Sequence, residues 1–183
     1  MIDTIKDYLF EQYDFILNNS NTTTLFVTGI IFIILYIFHL FKGKVYLFAL
    51  ISLPATLFHE LMHFIVSLFT FGMPRKISIF PEKSDNGYTL GYVESYNVRW
   101  YNGLLIGLAP LLLIPIDFYF FKLYLINETN IYYILVKGYI AATLLEGSIP
   151  SITDIKLAIS KSFYLFWIIL ALSYFYIKTP FQS

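Results

Sequence analysis

The sequence predicts an all-α membrane protein of about five transmembrane helices, with a membrane-surface β-hairpin between the second and the third. Three observations carry this. The chain is 58% hydrophobic and only 13% charged, well above the apolar share of soluble domains. It holds several apolar runs long enough to cross a bilayer, which takes roughly 20 residues each. Its one long polar segment between such runs, residues 75–100, has the alternation and turn chemistry of strands. All 183 residues read as one integral-membrane domain.

Residues 1–23 read as an interfacial leader helix. Asp3, Asp7, Glu11 and Asp14 gather on one face, with Ile5, Leu9, Tyr13 and Ile16 nearer the other, as in a helix lying on a membrane surface. The acidic leader and the length of the apolar run behind it do not suit a cleaved signal. The first span is expected over 24–41, closed by Lys42-Gly43-Lys44, and the second over 45–71, stopped by Gly72-Met73-Pro74. In 75–100, Ile77-Ser78-Ile79 and the stretch 88–96 favour strands around the turn Ser84-Asp85-Asn86-Gly87. A third span, 102–126, is interrupted by Pro110 and Pro115. A polar turn at 127–130 leads to a fourth, 131–149. Pro150 breaks that span, Ser151-Ile152-Thr153-Asp154 is expected to be irregular, and the last span covers 162–177. Lys and Arg near the span ends put the hairpin on the cytoplasmic face of a multi-pass protein, in the cell membrane if the host is bacterial.

Composition also excludes. The chain has no cysteine, so disulfides and thiolate ligands are ruled out and any metal must use His and carboxylate. A net charge of zero without basic clusters points away from nucleic acid. The expected partners are the lipid bilayer and a membrane-protein or membrane-peptide substrate.

Within the second span lies His59-Glu60-Leu61-Met62-His63. Residues four apart share a helix face, so both imidazoles can grip one metal ion from the same side, with Glu60 close to the open position. A chance match is expected on the order of once in several hundred such chains. Two His and a Glu in lipid-facing sequence are also costly without partners. The motif therefore predicts a single Zn2+ held by His59 and His63, with Glu60 as the general base.

A catalytic zinc normally takes three protein ligands and one water. His39, the remaining histidine, falls at the opposite end of the first span and reads as a membrane-interface residue. The third ligand is then a carboxylate, from Glu94, Asp117, Glu146 and Asp154. Glu94 reads as a solvated strand residue, and Asp117 as a costly acid that either faces the site or caps the helix break after Pro115. The second and fourth spans run in the same direction, which brings the histidines and the Pro150 break to comparable depth. Asp154 is the first choice on that ground, with Glu146 second. Ser148, Ser151 and Thr56 are candidates for oxyanion or outer-shell roles.

These residues resemble the site-2 protease family of intramembrane zinc metalloproteases, over 45–156. The likeness rests on the His59–His63 motif in one span, the following membrane-associated hairpin and a Pro-plus-Asp segment two spans later. It implies that Asp154 is the third zinc ligand and Glu60 the base. The family usually carries Asn and Pro before Leu-Asp-Gly, whereas this chain reads Ser148-Ile149-Pro150-Ser151-Ile152-Thr153-Asp154-Ile155, with no Gly after the Asp. The expected activity is zinc-dependent hydrolysis of peptide bonds within or beside the bilayer, with the hairpin edge available to hold an extended substrate. The rival readings are a zinc-binding scaffold or regulator that does not cleave, and a metal transporter.

Overall fold

The computed structural model describes residues 22–84 and 87–178, with positions 7, 10 and 11. The leader helix expected over 1–23 therefore lies almost wholly outside the described residues. The chain is mostly helical, with one β-hairpin arm. Helix α1 is Thr22–Phe41, α2 Val45–Ile51 and α3 Leu53–Phe69. Strands β1 (Pro74–Ser78), β2 (Glu82–Ser84), β3 (Gly87–Thr89) and β4 (Tyr92–Ser95) follow. Then come α4 (Gly103–Gly107), a 3-10 turn (Ala109–Leu112), α5 (Leu113–Tyr124), α6 (Ile131–Gly147) and α7 (Ile152–Lys178).

The expectation of five spans is corrected. Among the described helices α1 alone, with a mean hydropathy of 2.4, is long and apolar enough to cross a membrane, or two spans if α2 and α3 are one bent crossing. The reasons are local. Between α2 and α3 the axis turns by 75°. There Ser52 Oγ donates back to the Phe48 carbonyl at 2.7 Å and Pro54 cannot supply an N–H to the preceding turn. The third expected span is divided into α4, the 3-10 turn that contains Pro110, and α5, whose first turn holds Pro115. Helix α6 has 17 residues and carries Lys137 and Glu146.

Helix α6 is the hub, with α1, α3 and α5 all packed against it. Val27, Ile31 and Phe38 of α1, Phe48 of α2, and Ile134, Ala141 and Ala142 of α6 form the buried core with Leu125. Asn130 caps α6, its side chain accepting from the Tyr132 N–H at 3.0 Å. Helix α3 follows α6 in the same direction, as expected, since Tyr139 donates to Ile51 O at 2.7 Å and His59 reaches Gly147 further on. Helix α1 does so too: Ile30 and Ile31 lie against Gly138 and Lys42 pairs with Glu146 at 2.9 Å. Helix α2 is thus a crosswise link rather than part of a straight return crossing.

The hairpin is present, but kinked. Strands β1 and β4 pair antiparallel, Ile77 opposite Val93, while β2 and β3 form a second ladder, Lys83 opposite Tyr88. The stretch expected as one strand over 88–96 is interrupted at Leu90-Gly91. A Cβ at Gly91 would lie 2.8 Å from Ser78 O and from Thr56 Cγ2, and 2.9 Å from Glu60 Cγ. The close approach of the arm to α3 needs glycine there.

Helix α3 ends in a Schellman turn: Gly72 N–H reaches Ser67 O at 2.6 Å and Phe71 N–H reaches Leu68 O at 3.4 Å. The left-handed residue is Phe71 (φ 58°), and Met73 (φ 53°) repeats the conformation. Each costs about 1–2 kcal/mol relative to ordinary backbone.

Candidate metal centre

The turn after α6 and the start of α7 place the third acid. Ser151 Oγ accepts from the Asp154 N–H at 3.2 Å, and Asp154 Oδ2 accepts from the Ser151 N–H at 2.7 Å. This is a capping box, so Asp154 lies in the first turn of a regular helix and not in the irregular piece expected. The box also fixes the carboxylate rotamer. Asp154 then faces both imidazoles, with Oδ2 3.3 Å from His59 Nε2 and Oδ1 3.3 Å from His63 Nε2.

Both histidines are held from behind. His59 Nδ1 is 2.8 Å from Gly147 O, and His63 Nδ1 is 2.7 Å from Ile106 O. A carbonyl can only accept, so each Nδ1 carries a proton and Nε2 is the atom turned inward, able to ligate a metal from the neutral ring. The two Nε2 atoms are 3.2 Å apart. With both rings neutral, two lone pairs and a carboxylate facing one another repel unless a cation lies between them. Ligand atoms on a tetrahedral ion with bonds of about 2.0–2.1 Å are about 3.3 Å apart; the two Nε2 atoms have that spacing, and each lies 3.3 Å from a different Asp154 oxygen. His59, His63 and Asp154 form a group that can hold one metal ion.

The group opens on a cavity of about 750 Å3 between α3, the kinked strand and the turn at 147–154. Glu60 lines it and is buried, its stem under Gly91. Helices α3 and α6 close on each other where a Cβ at Gly147 would meet Ala55 O at 2.7 Å, and that contact brings the Gly147 carbonyl to His59.

The other sequence candidates separate. Glu146 lines the cavity but pairs with Lys42, which lines it too. Asp117 is buried in α5 outside the cavity lining, and its Oδ1 has no hydrogen-bond partner among the described residues. Glu94 is an exposed strand residue opposite Lys76, and His39 lies in the last turn of α1. Ser148 is buried and donates to Leu145 O at 2.7 Å, outside the cavity lining. Ser151 lines the cavity with its hydroxyl engaged by Asp154 and Thr153. Thr56 lines it too, its methyl towards Gly91.

Sequence reasoning missed the capping box, although Ser-x-x-Asp ahead of an apolar run is its signature. It also missed the two carbonyl acceptors, which have no residue signature because every residue carries one. Comparison with family models, curated proteins and solved structures finds no match to this chain.

Proposed function

We propose that the chain is an intramembrane zinc endopeptidase of the site-2 protease kind, cutting membrane-protein or membrane-peptide substrates. The observation that carries this reading is the convergence of His59, His63 and Asp154, whose ligand atoms lie within 4.8 Å of one another, with buried Glu60 beside them in one cavity. The donor set of two neutral imidazoles and one carboxylate suits zinc. When bound, zinc supplies Lewis-acid polarisation and lowers the pKa of a water molecule towards about 7.

The chain's own residues do the rest. Glu60 takes a proton from water in the cavity and hands it to the departing amine, as base and then acid. The Gly147 and Ile106 carbonyls hold the imidazoles, and the Ser151 box holds Asp154, so nothing reorganises during the reaction. The backbone from Leu90 to Val93 lines the cavity and offers an edge for an extended substrate, which an intact helix could not use. Exposed Leu25, Phe26 and Phe32 on α1, Ile116 and Leu123 on α5 and Leu135 on α6 call for an apolar solvent. We take that solvent to be the bilayer, crossed more than once, with the site nearer the cytoplasmic face.

The test is Glu60→Gln in purified protein with a membrane-helix substrate. Cleavage falls about 10²–10⁴-fold while zinc content is unchanged, and a chelator abolishes cleavage by the parent protein. Normal turnover by the variant would overturn the mechanism. Zinc binding with no cleavage by either protein would favour a scaffold.

A further inference from the structure

Three segments meet where α3 gives way to the hairpin and the hairpin to α4. Asn102, fully buried, accepts from the Arg99 N–H at 2.7 Å and donates to Thr70 O and Asn97 O, both at 3.1 Å. Asn97 donates through Nδ2 to Phe71 O at 2.9 Å, and its N–H reaches Gly72 O at 2.9 Å. The Tyr96 N–H reaches Met73 O at 3.1 Å. Residues 70–73, 95–97 and 99–102 are thereby one rigid knot.

What this knot shows to the outside is unusual. Phe71 is 75% exposed, Tyr96 74% and Trp100 50%, with Met73 and Tyr101 also exposed. Phe71 and Met73 hold left-handed backbone that glycine would adopt without strain, yet large apolar side chains stand there. Both arginines of the chain, Arg75 and Arg99, and one of its two tryptophans are on or beside it. Arg75 lies over the Tyr96 ring at 4.5 Å and Arg99 Nε donates to Asn97 at 2.7 Å. Neither guanidinium is in an ion pair among the described residues. An apolar and aromatic rim carrying unneutralised guanidinium groups matches the boundary between acyl chains and phosphate, where Trp, Tyr and Arg anchor.

We propose that this knot is a phospholipid-docking surface. Arg75 and Arg99 hold phosphodiester oxygens of headgroups while Phe71, Met73, Tyr96 and Trp100 enter the acyl boundary. The inference rests on the membrane reading above and sharpens it. Helix α3 ends at Phe69, six residues beyond His63, about 9 Å along a helix rising 1.5 Å per residue, so the knot sets the metal centre on the order of 10 Å below the headgroups. The bonds within reach are those of substrate segments at that depth.

The experiment uses full-length Trp167→Phe protein, in which Trp100 is the remaining tryptophan, reconstituted in phosphatidylcholine or mixed phosphatidylcholine–phosphatidylglycerol vesicles. Lipids brominated near the headgroup end of the acyl chain should quench Trp100 more than lipids brominated near the methyl end, and aqueous iodide should quench it least. Brominated phosphatidylglycerol should out-compete brominated phosphatidylcholine. Arg75→Gln and Arg99→Gln should each cut that preference by up to roughly fivefold, and high salt should cut it in the unmutated arginine background should those variants fail to fold. Strong iodide quenching with no effect of brominated lipid would overturn the proposal, as would a lipid preference indifferent to both salt and arginine. Zinc content separates the two readings: it stays intact if only the lipid surface is wrong and is absent if the metal centre is wrong.

Discussion

Asp154 and Asp117 are both carboxylates carried into an apolar body, and the molecule treats them in opposite ways. Around Asp154 the Ser151 N–H and two imidazole edges converge on both oxygens. Around Asp117 nothing converges, and Oδ1 is buried without a partner among the described residues. Both sit in helices, and each is a reasonable metal ligand by residue type. Burial of an acid therefore does not mark the site in this chain. The mark is a set of neighbours whose own hydrogen bonds leave lone pairs pointing at one spot.

The largest effect should come from removing the acid at the convergent site. Asp154→Ala should lower zinc affinity more than about 100-fold, beyond the range of outer-shell changes, and abolish cleavage. Glu146→Ala, which breaks only the Lys42 pair, should keep its zinc through the same dialysis against chelator. The reverse order of metal loss would move the third ligand to Glu146 and break the comparison. A smaller effect tests the support of the site. At Gly147→Val the new side chain must push α6 away from Ala55 O and draw the carbonyl off His59. Overpacking should cost about 1–3 kcal/mol of stability, and zinc affinity should fall about 10–100-fold. Unchanged zinc binding would mean that His59 needs no orientation from behind. Asp117→Val should behave differently from both. Relieving an unsatisfied buried carboxyl should leave thermal stability unchanged or raise it by about 1–2 kcal/mol, with zinc content intact. Loss of zinc in that variant would tie Asp117 to the site after all.

The same contrast explains what could be read from the residues. His59, Glu60 and His63 were legible because four-residue spacing on one helix is a local property, and their convergence with Asp154 followed from the direction shared by α3 and α6. The hairpin was legible from the turn Ser84-Asp85-Asn86-Gly87 and the flanking alternation, though not its kink, which depends on Gly91 meeting Glu60 and Thr56 in space. The count of spans was misread because apolar composition persists across Ser52 and Pro110 while the regular helix does not. Lys42, read only as closing the first span, is delivered by α1 to Glu146.

A third carboxylate sets the lower bound of the comparison. Glu128 does have converging donors: Lys137 Nζ and the N–H groups of Thr129 and Asn130, at 3.2 and 3.1 Å. It lies in the surface turn before α6 rather than in the apolar body. The Lys137 ammonium, helped by those N–H groups, holds its carboxyl below the usual carboxylate range. A lowered folded-state pKa stabilises the fold at pH values above the unfolded one, and that contribution disappears as pH falls through the folded value. The difference in melting temperature between the parent protein and Glu128→Gln should hold steady from neutral pH down to about 5, then close below about 4. It should also shrink in high salt, as exposed pairs do, with zinc content untouched throughout. A gap that survives unchanged to strongly acidic pH would assign Glu128 a packing role.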